Sequence, residues 1–95
     1  DFVKKTIEGI KGERKRVFER LAGMDGIIRV FRSDANFLFV ETGKNYSAIA
    51  KALEMEAIVV KMLGSVAGHR GCMRVTIGTQ EMNDRFLACV KGATV

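Results

Sequence analysis

The chain has no proline, only two cysteines and one histidine, and no apolar run that approaches the roughly 18 residues of a membrane span. Each scarcity removes a class of protein. Without proline, repeats, low-complexity tracts or a Gly/Ser-rich linker, nothing divides the 95 residues, and positions 1–95 read as one domain. The two cysteines form no CxxC and no Cys/His pattern, which argues against a structural zinc. Cys72 and Cys89 stand in apolar company, so two buried thiols are expected, although sequence alone leaves a disulfide open. The N-terminus offers Phe2-Val3-Lys4-Lys5 and no apolar signal-peptide core, so a cytoplasmic location is expected. The chain opens on Asp1, and a piece of a longer protein is expected.

Apolar residues make up 47% of the chain, which supplies one modest core; a domain of this size buries roughly 60–65% of its unfolded surface. The formal net charge is +5, which could serve nucleic acid or a membrane surface. The basic residues Lys4, Lys5, Lys11, Arg14, Lys15, Arg16 and Arg20 are interleaved with Glu8, Glu13 and Glu19. No RNP-like aromatic motif, zinc-finger spacing or strong helix-turn-helix pattern accompanies them. A solvated basic face, or one that meets a further domain, is the reading, with neither nucleic acid nor membrane as partner.

Periodicity predicts a helix over residues 3–22, with Val3, Ile7, Ile10, Val17, Phe18 and Leu21 at helical steps and Gly23 as its stop. Strands follow at 27–31 and 36–41, separated by a Ser33-Asp34-Ala35 turn. A short helix covers 46–55, a strand 58–63, a glycine-rich mobile connection 64–71 and a strand 72–77. Thr79 caps a last helix to about Lys91, with Met82, Phe86, Leu87 and Val90 inward. The order α-β-β-α-β-β-α predicts an α+β two-layer sandwich: a small mixed sheet of about four strands with helices on one face. The piece 36–63 has room for a crossover and parallel pairing.

Several motifs carry little. Gly43-Lys44 lacks the upstream glycine of a P-loop and is followed by Asn45 rather than Ser or Thr. Asn45-Tyr46-Ser47 is a chance glycosylation acceptor. His69 reads as an exposed loop residue. The strongest local signal is Cys72-Met73-Arg74-Val75-Thr76-Ile77-Gly78-Thr79. Met73, Val75 and Ile77 share one side of a strand, and Arg74 and Thr76 the other. A guanidinium on the face away from the core is suited to gripping a carboxylate or phosphate with two hydrogen bonds. Lys61 likewise points away from Ile58, Val60 and Met62 and could join Arg74 in a cationic wall.

These segments resemble a known family. Ser33-Asp34-Ala35-Asn36-Phe37-Leu38-Phe39-Val40 is similar to the S-x-A-N-F-hydrophobic segment of histidinol-phosphate aminotransferases. Gly71 to Thr79, followed by Glu81 and Asn83, is similar to their G-x-L-R-I-T-V-G-T strand and helix start, and Glu13-Arg14 also fits. The likeness runs with correct spacing over nearly the whole chain and matches the family's C-terminal small domain. It implies a fold-type I enzyme using pyridoxal 5'-phosphate. In such an enzyme Arg74 grips the substrate's carboxylate or phosphate, while Asn36 lies near the domain junction without a direct ligand role. It also implies transfer between histidinol phosphate and 2-oxoglutarate in histidine biosynthesis, and a homodimeric parent. The cofactor-binding residues belong to the family's large domain, so the 95 residues alone are expected to be inactive. Lys61 stands where the family has a second anion-binding arginine, and it lacks the bidentate fork. An aromatic aminotransferase or a threonine-phosphate decarboxylase relative therefore remains an alternative, as does a free-standing basic binding module.

Overall fold

The computed structural model describes residues 2–31, 37–58 and 60–94. The elements are α1 (Phe2–Ala22), β1 (Arg29–Phe31), β2 (Phe37–Glu41), α2 (Tyr46–Met55), β3 (Lys61–Val66), β4 (His69–Thr76) and α3 (Gln80–Ala93). The expected α+β order and the four strands are present. The Ser33-Asp34-Ala35 turn, Asn36 and Val59 lie outside the described residues, as do the side chains of Val3, Ile7 and Ile10.

The strands lie in the order β1-β2-β4-β3, and every neighbouring pair is antiparallel. This corrects the expected parallel pairing. The connection through α2 does carry β3 parallel to β2, but the β3–β4 hairpin inserts β4 between them. Leu38 pairs with Val75 and Val40 with Met73, so these four apolar side chains share the helix-covered face. They join Val17 and Leu21 of α1, Ile49 and Leu53 of α2, and Phe86, Leu87 and Val90 of α3 in one core. The period-2 pattern of the strands and the i, i+3, i+4 pattern of the helices thus meet in a single apolar layer.

Helix α2 ends in a paired turn. Ile58 N–H donates to Leu53 O at 2.9 Å and Ala57 N–H to Glu54 O at 3.0 Å, with Ala57 at φ 57°. This is the Schellman arrangement, with alanine where glycine is usual. It engages the backbone of Ile58, so β3 begins at Lys61 rather than at 58. The expected connection over 64–71 is instead most of a hairpin. Val66 pairs with His69 across a turn at Ala67-Gly68, and the register shifts around Gly64. Gly64, at φ 70°, forms a bulge whose N–H donates to the Tyr46 hydroxyl at 3.1 Å. Three glycines spaced through this stretch look like a flexible loop, whereas they bend and close two strands.

Thr79 caps α3 as expected, its Oγ1 accepting from Met82 N–H at 3.2 Å. Met82 itself is not inward; it is 59% exposed. The inward position in that turn belongs to Asn83, which is buried. Asn83 Oδ1 accepts from Gly78 N–H at 3.0 Å, and its Nδ2 donates to Gly78 O at 3.1 Å and to Glu13 Oε1 at 3.0 Å. One side chain therefore closes the exit of β4 and ties it to α1. Substituting Asn83→Ala removes all three bonds and strands the Gly78 amide, an expected loss of about 2–3 kcal/mol in urea denaturation.

The α1 end of this network sets a pH dependence. Arg16 donates to both Glu13 oxygens, at 2.9 and 2.6 Å, and also pairs with Asp84 at 2.8 Å. The Arg16 hydrogen bonds first, and that of Asn83 second, hold the Glu13 carboxyl at about 2. A depressed carboxyl stabilises the fold fully above its unfolded value, and that contribution is lost as pH falls toward the folded value. Stability is expected to fall between pH about 4.5 and about 2. Glu13→Gln is expected to flatten that slope, measured as the urea midpoint at several pH values.

Candidate functional site

The face of the sheet away from the helices carries the candidate site. Cross-strand register builds one row on it: Phe31 opposite Phe39, Phe39 opposite Arg74, and Arg74 opposite Lys61. The two cations expected from strand alternation are thus direct neighbours on adjacent strands. Arg74 is half-buried and Lys61 exposed. Like charges directly opposite each other in a sheet cost stability, a cost that an anion lying between them reverses.

Arg74 is held by aromatics. Its guanidinium carbon lies 5.3 Å from the Phe37 ring centroid. Phe37 pairs with Thr76, so Arg74 is its diagonal neighbour on the same face. The rings of Phe37 and Phe39 meet edge-to-face, with centroids 5.5 Å apart at 86°. At the other end of the row, Arg29 lies 5.9 Å from the Phe31 ring.

The adjacent row contains a cluster that sequence reasoning missed. Glu41 is 8% exposed, and its Oε2 accepts from Arg70 N–H at 3.0 Å. Its Oε1 lies 3.1 Å from His69 Nδ1. The Arg70 N–H first, and then His69, hold the Glu41 carboxyl below its ordinary range against the opposing effect of burial. His69 is therefore not the exposed loop residue expected: it is half-buried on β4, edge-on to Phe31 at 5.0 Å. Residues 41 and 69 come together only through the pairing of β2 with β4, and no local spacing announces it. Phe31, Phe39, Leu63, Val66, His69 and Cys72 line a small apolar hollow of about 290 Å³ on this face.

Both cysteines are free thiols. Cys72 is buried and Cys89 half-buried, and burial pushes the Cys89 thiol up. Among the described residues no group of three or more His, Cys, Asp or Glu could hold a metal ion, and no helix is long and apolar enough to cross a membrane. Gly43–Asn45 is a single 3-10 turn, and Asn45 Nδ2 donates to Gly26 O at 2.9 Å, so this segment is a structural corner. A larger groove of about 650 Å³ lies between α2 and α3, in the helical layer.

An arginine fork and a lysine thus stand side by side on the sheet with apolar surface beside them, an arrangement chemically suited to an anion. No protein-family model matches the chain. It is 37% identical over 89 residues to the histidinol-phosphate aminotransferase of Parabacteroides distasonis, covering 94% of this chain and 26% of that protein. The enzyme of the same name from Chlorobium luteolum is 35% identical over 85 residues, covering 90% and 23%. The crystal structure of histidinol-phosphate aminotransferase from Clostridium acetobutylicum superposes with a TM-score of 0.84 at 28% identity, covering 98% of this chain and 28% of that one.

The chain is related to one segment of the histidinol-phosphate aminotransferases. It spans about a quarter of the length of the curated relatives it matches. A decarboxylase from Sulfurospirillum multivorans is also similar, with a TM-score of 0.74 and 27% identity over 88% of this chain and 25% of that one. The histidinol-phosphate aminotransferase from Sinorhizobium meliloti, solved with pyridoxal-5'-phosphate, shares the fold at 23% identity and a TM-score of 0.75.

Proposed function

We propose that residues 1–95 are the C-terminal small domain of an aminotransferase that exchanges an amino group between histidinol phosphate and 2-oxoglutarate, in histidine biosynthesis. The observation that carries this reading is the register pair Arg74–Lys61 on the uncovered face of the sheet, in a chain related to histidinol-phosphate aminotransferases. The parent is a cytoplasmic homodimer, and its large domain is the nearest partner of this one.

Pyridoxal 5'-phosphate, when bound by the large domain, supplies the electron sink for amino-group exchange. The described residues of this chain form no site for it. The hollow on the uncovered face, lined by Phe31, Phe39, Leu63, Val66, His69 and Cys72, offers no lysine for that cofactor to join. The domain's own contribution is to bind and orient. Arg74 offers its fork to the substrate carboxylate, or to the phosphate in its place. Lys61 adds a second positive charge, and the sheet fixes where that anion sits relative to the amine.

A second reading has specific support. By the resemblance, Lys61 stands where the family usually has an arginine, and a decarboxylase is among the similar structures. A lysine is a point charge without planar selectivity, which suits a different phosphorylated or aromatic amino substrate. The deciding experiment gives the full-length parent histidinol phosphate or an aromatic amino acid, with 2-oxoglutarate, and measures glutamate formed. Exchange with histidinol phosphate supports the first reading. Exchange with aromatic amino acids alone, or carbon dioxide release from a phosphorylated amino acid, moves the assignment to the second. Absence of all three overturns both. The isolated 95 residues are expected to be inactive.

A further inference from the structure

An arginine that serves an external anion must be oriented without being neutralised. A carboxylate partner would satisfy the guanidinium and occupy the fork. An aromatic face attracts the same cation through its quadrupole and leaves all five N–H donors available. Arg74 fits the second description. Among the described residues it forms no ion pair, and its guanidinium carbon lies 5.3 Å from the centroid of the Phe37 ring. The buried carboxylate of this face, Glu41, is engaged by His69 and the Arg70 backbone instead.

The ring is itself fixed. Phe39, directly opposite Arg74 in the ladder, meets Phe37 edge-to-face at 86°. Phe39 thus holds the ring against which Arg74 rests. On the other side of Arg74 stands Lys61, whose charge disfavours a swing of the guanidinium toward β3. Aromatic attraction on one side and like-charge repulsion on the other define one orientation of the fork.

We infer that Phe37, braced by Phe39, is the positioning residue that aims the Arg74 guanidinium at the substrate anion. This inference rests on the proposed role of Arg74 as the substrate grip. It is tested in the full-length holoenzyme with Phe37→Leu, Phe37→Met and Phe37→Tyr, each alone and in an Arg74→Gln background. The readouts are KM and kcat for glutamate, and the calorimetric Kd of maleate, a dicarboxylate that does not react.

Loss of the ring in Phe37→Leu and Phe37→Met is expected to raise KM and the maleate Kd about fivefold to tenfold, with kcat within about twofold. Phe37→Tyr keeps the ring and is expected to behave as the unsubstituted enzyme. In the Arg74→Gln background, Phe37→Leu is expected to add nothing, because its effect acts through Arg74. If Arg74→Gln weakens binding but Phe37→Leu and Phe37→Met are silent, or add independently to it, the positioning role is overturned while the grip stands. If Arg74→Gln leaves KM and the maleate Kd unchanged, the grip fails, and the inference with it.

Discussion

Replacing Arg74 by Gln in the full-length parent is expected to lower kcat/KM for the amino-acid substrate about 10- to 100-fold. That range corresponds to the loss of one charge-assisted contact of about 1.5–3 kcal/mol. The effect should appear mainly in KM, because glutamine keeps a donor but neither the charge nor the planar fork. The fold should barely notice the change. Arg74 lies on the face away from the core, half-buried beside Phe37, so the melting temperature of the chain should move by no more than a few degrees. Steady-state kinetics beside a thermal melt separates the two effects. A collapse of stability would make Arg74 a structural residue, and an unchanged KM would remove it from the site.

The largest expected effect on stability comes from a residue with no side chain. Gly71 has φ +66°, and a Cβ placed on it would lie 2.9 Å from Gly43 N, Gly43 O and Thr42 Oγ1. Two of these atoms are backbone, so they cannot swing aside. The same crossing is sealed by Gly71 O, which accepts from Thr42 N–H at 2.9 Å and from Thr42 Oγ1 at 2.6 Å. Gly71→Ala adds a left-handed alanine to a closed crossing and is expected to cost about 3–5 kcal/mol. The melting midpoint should drop by about 15 °C or more. Gly9→Ala and Gly12→Ala provide the opposite control. Nothing lies within 4 Å of a Cβ at either position of α1, and each should stabilise by about 0.5–1 kcal/mol. A Gly71→Ala variant that melts like the original chain would contradict a closed crossing at Gly71.

What could be read from the sequence follows how local each signal is. Helix α2 appears over 46–55 as its apolar spacing predicts, and the Thr79 cap is formed by a hydroxyl three residues from the amide it accepts from. The outward face of Arg74 follows from alternation within one strand. That Lys61 lies opposite Arg74 follows from the hairpin register, including the bulge at Gly64, and alternation alone could suggest only a shared face. The Glu41–His69 pair spans 28 positions and depends on how β2 lies against β4. Met82 and Asn83 illustrate a different limit. Apolarity favours Met82 for the inward position, yet the polar Asn83 takes it because it can satisfy both backbone groups of Gly78.

That this sheet presents a substrate to an aminotransferase is open to direct test. The most direct measurement is the visible absorption spectrum of the full-length parent, purified with pyridoxal 5'-phosphate, before and after glutamate is added. The expected result is a protein-bound cofactor band that glutamate converts to the absorption of the pyridoxamine form. A parent that shows no bound cofactor band, or one whose band does not respond to glutamate or to any other amino donor, would contradict it.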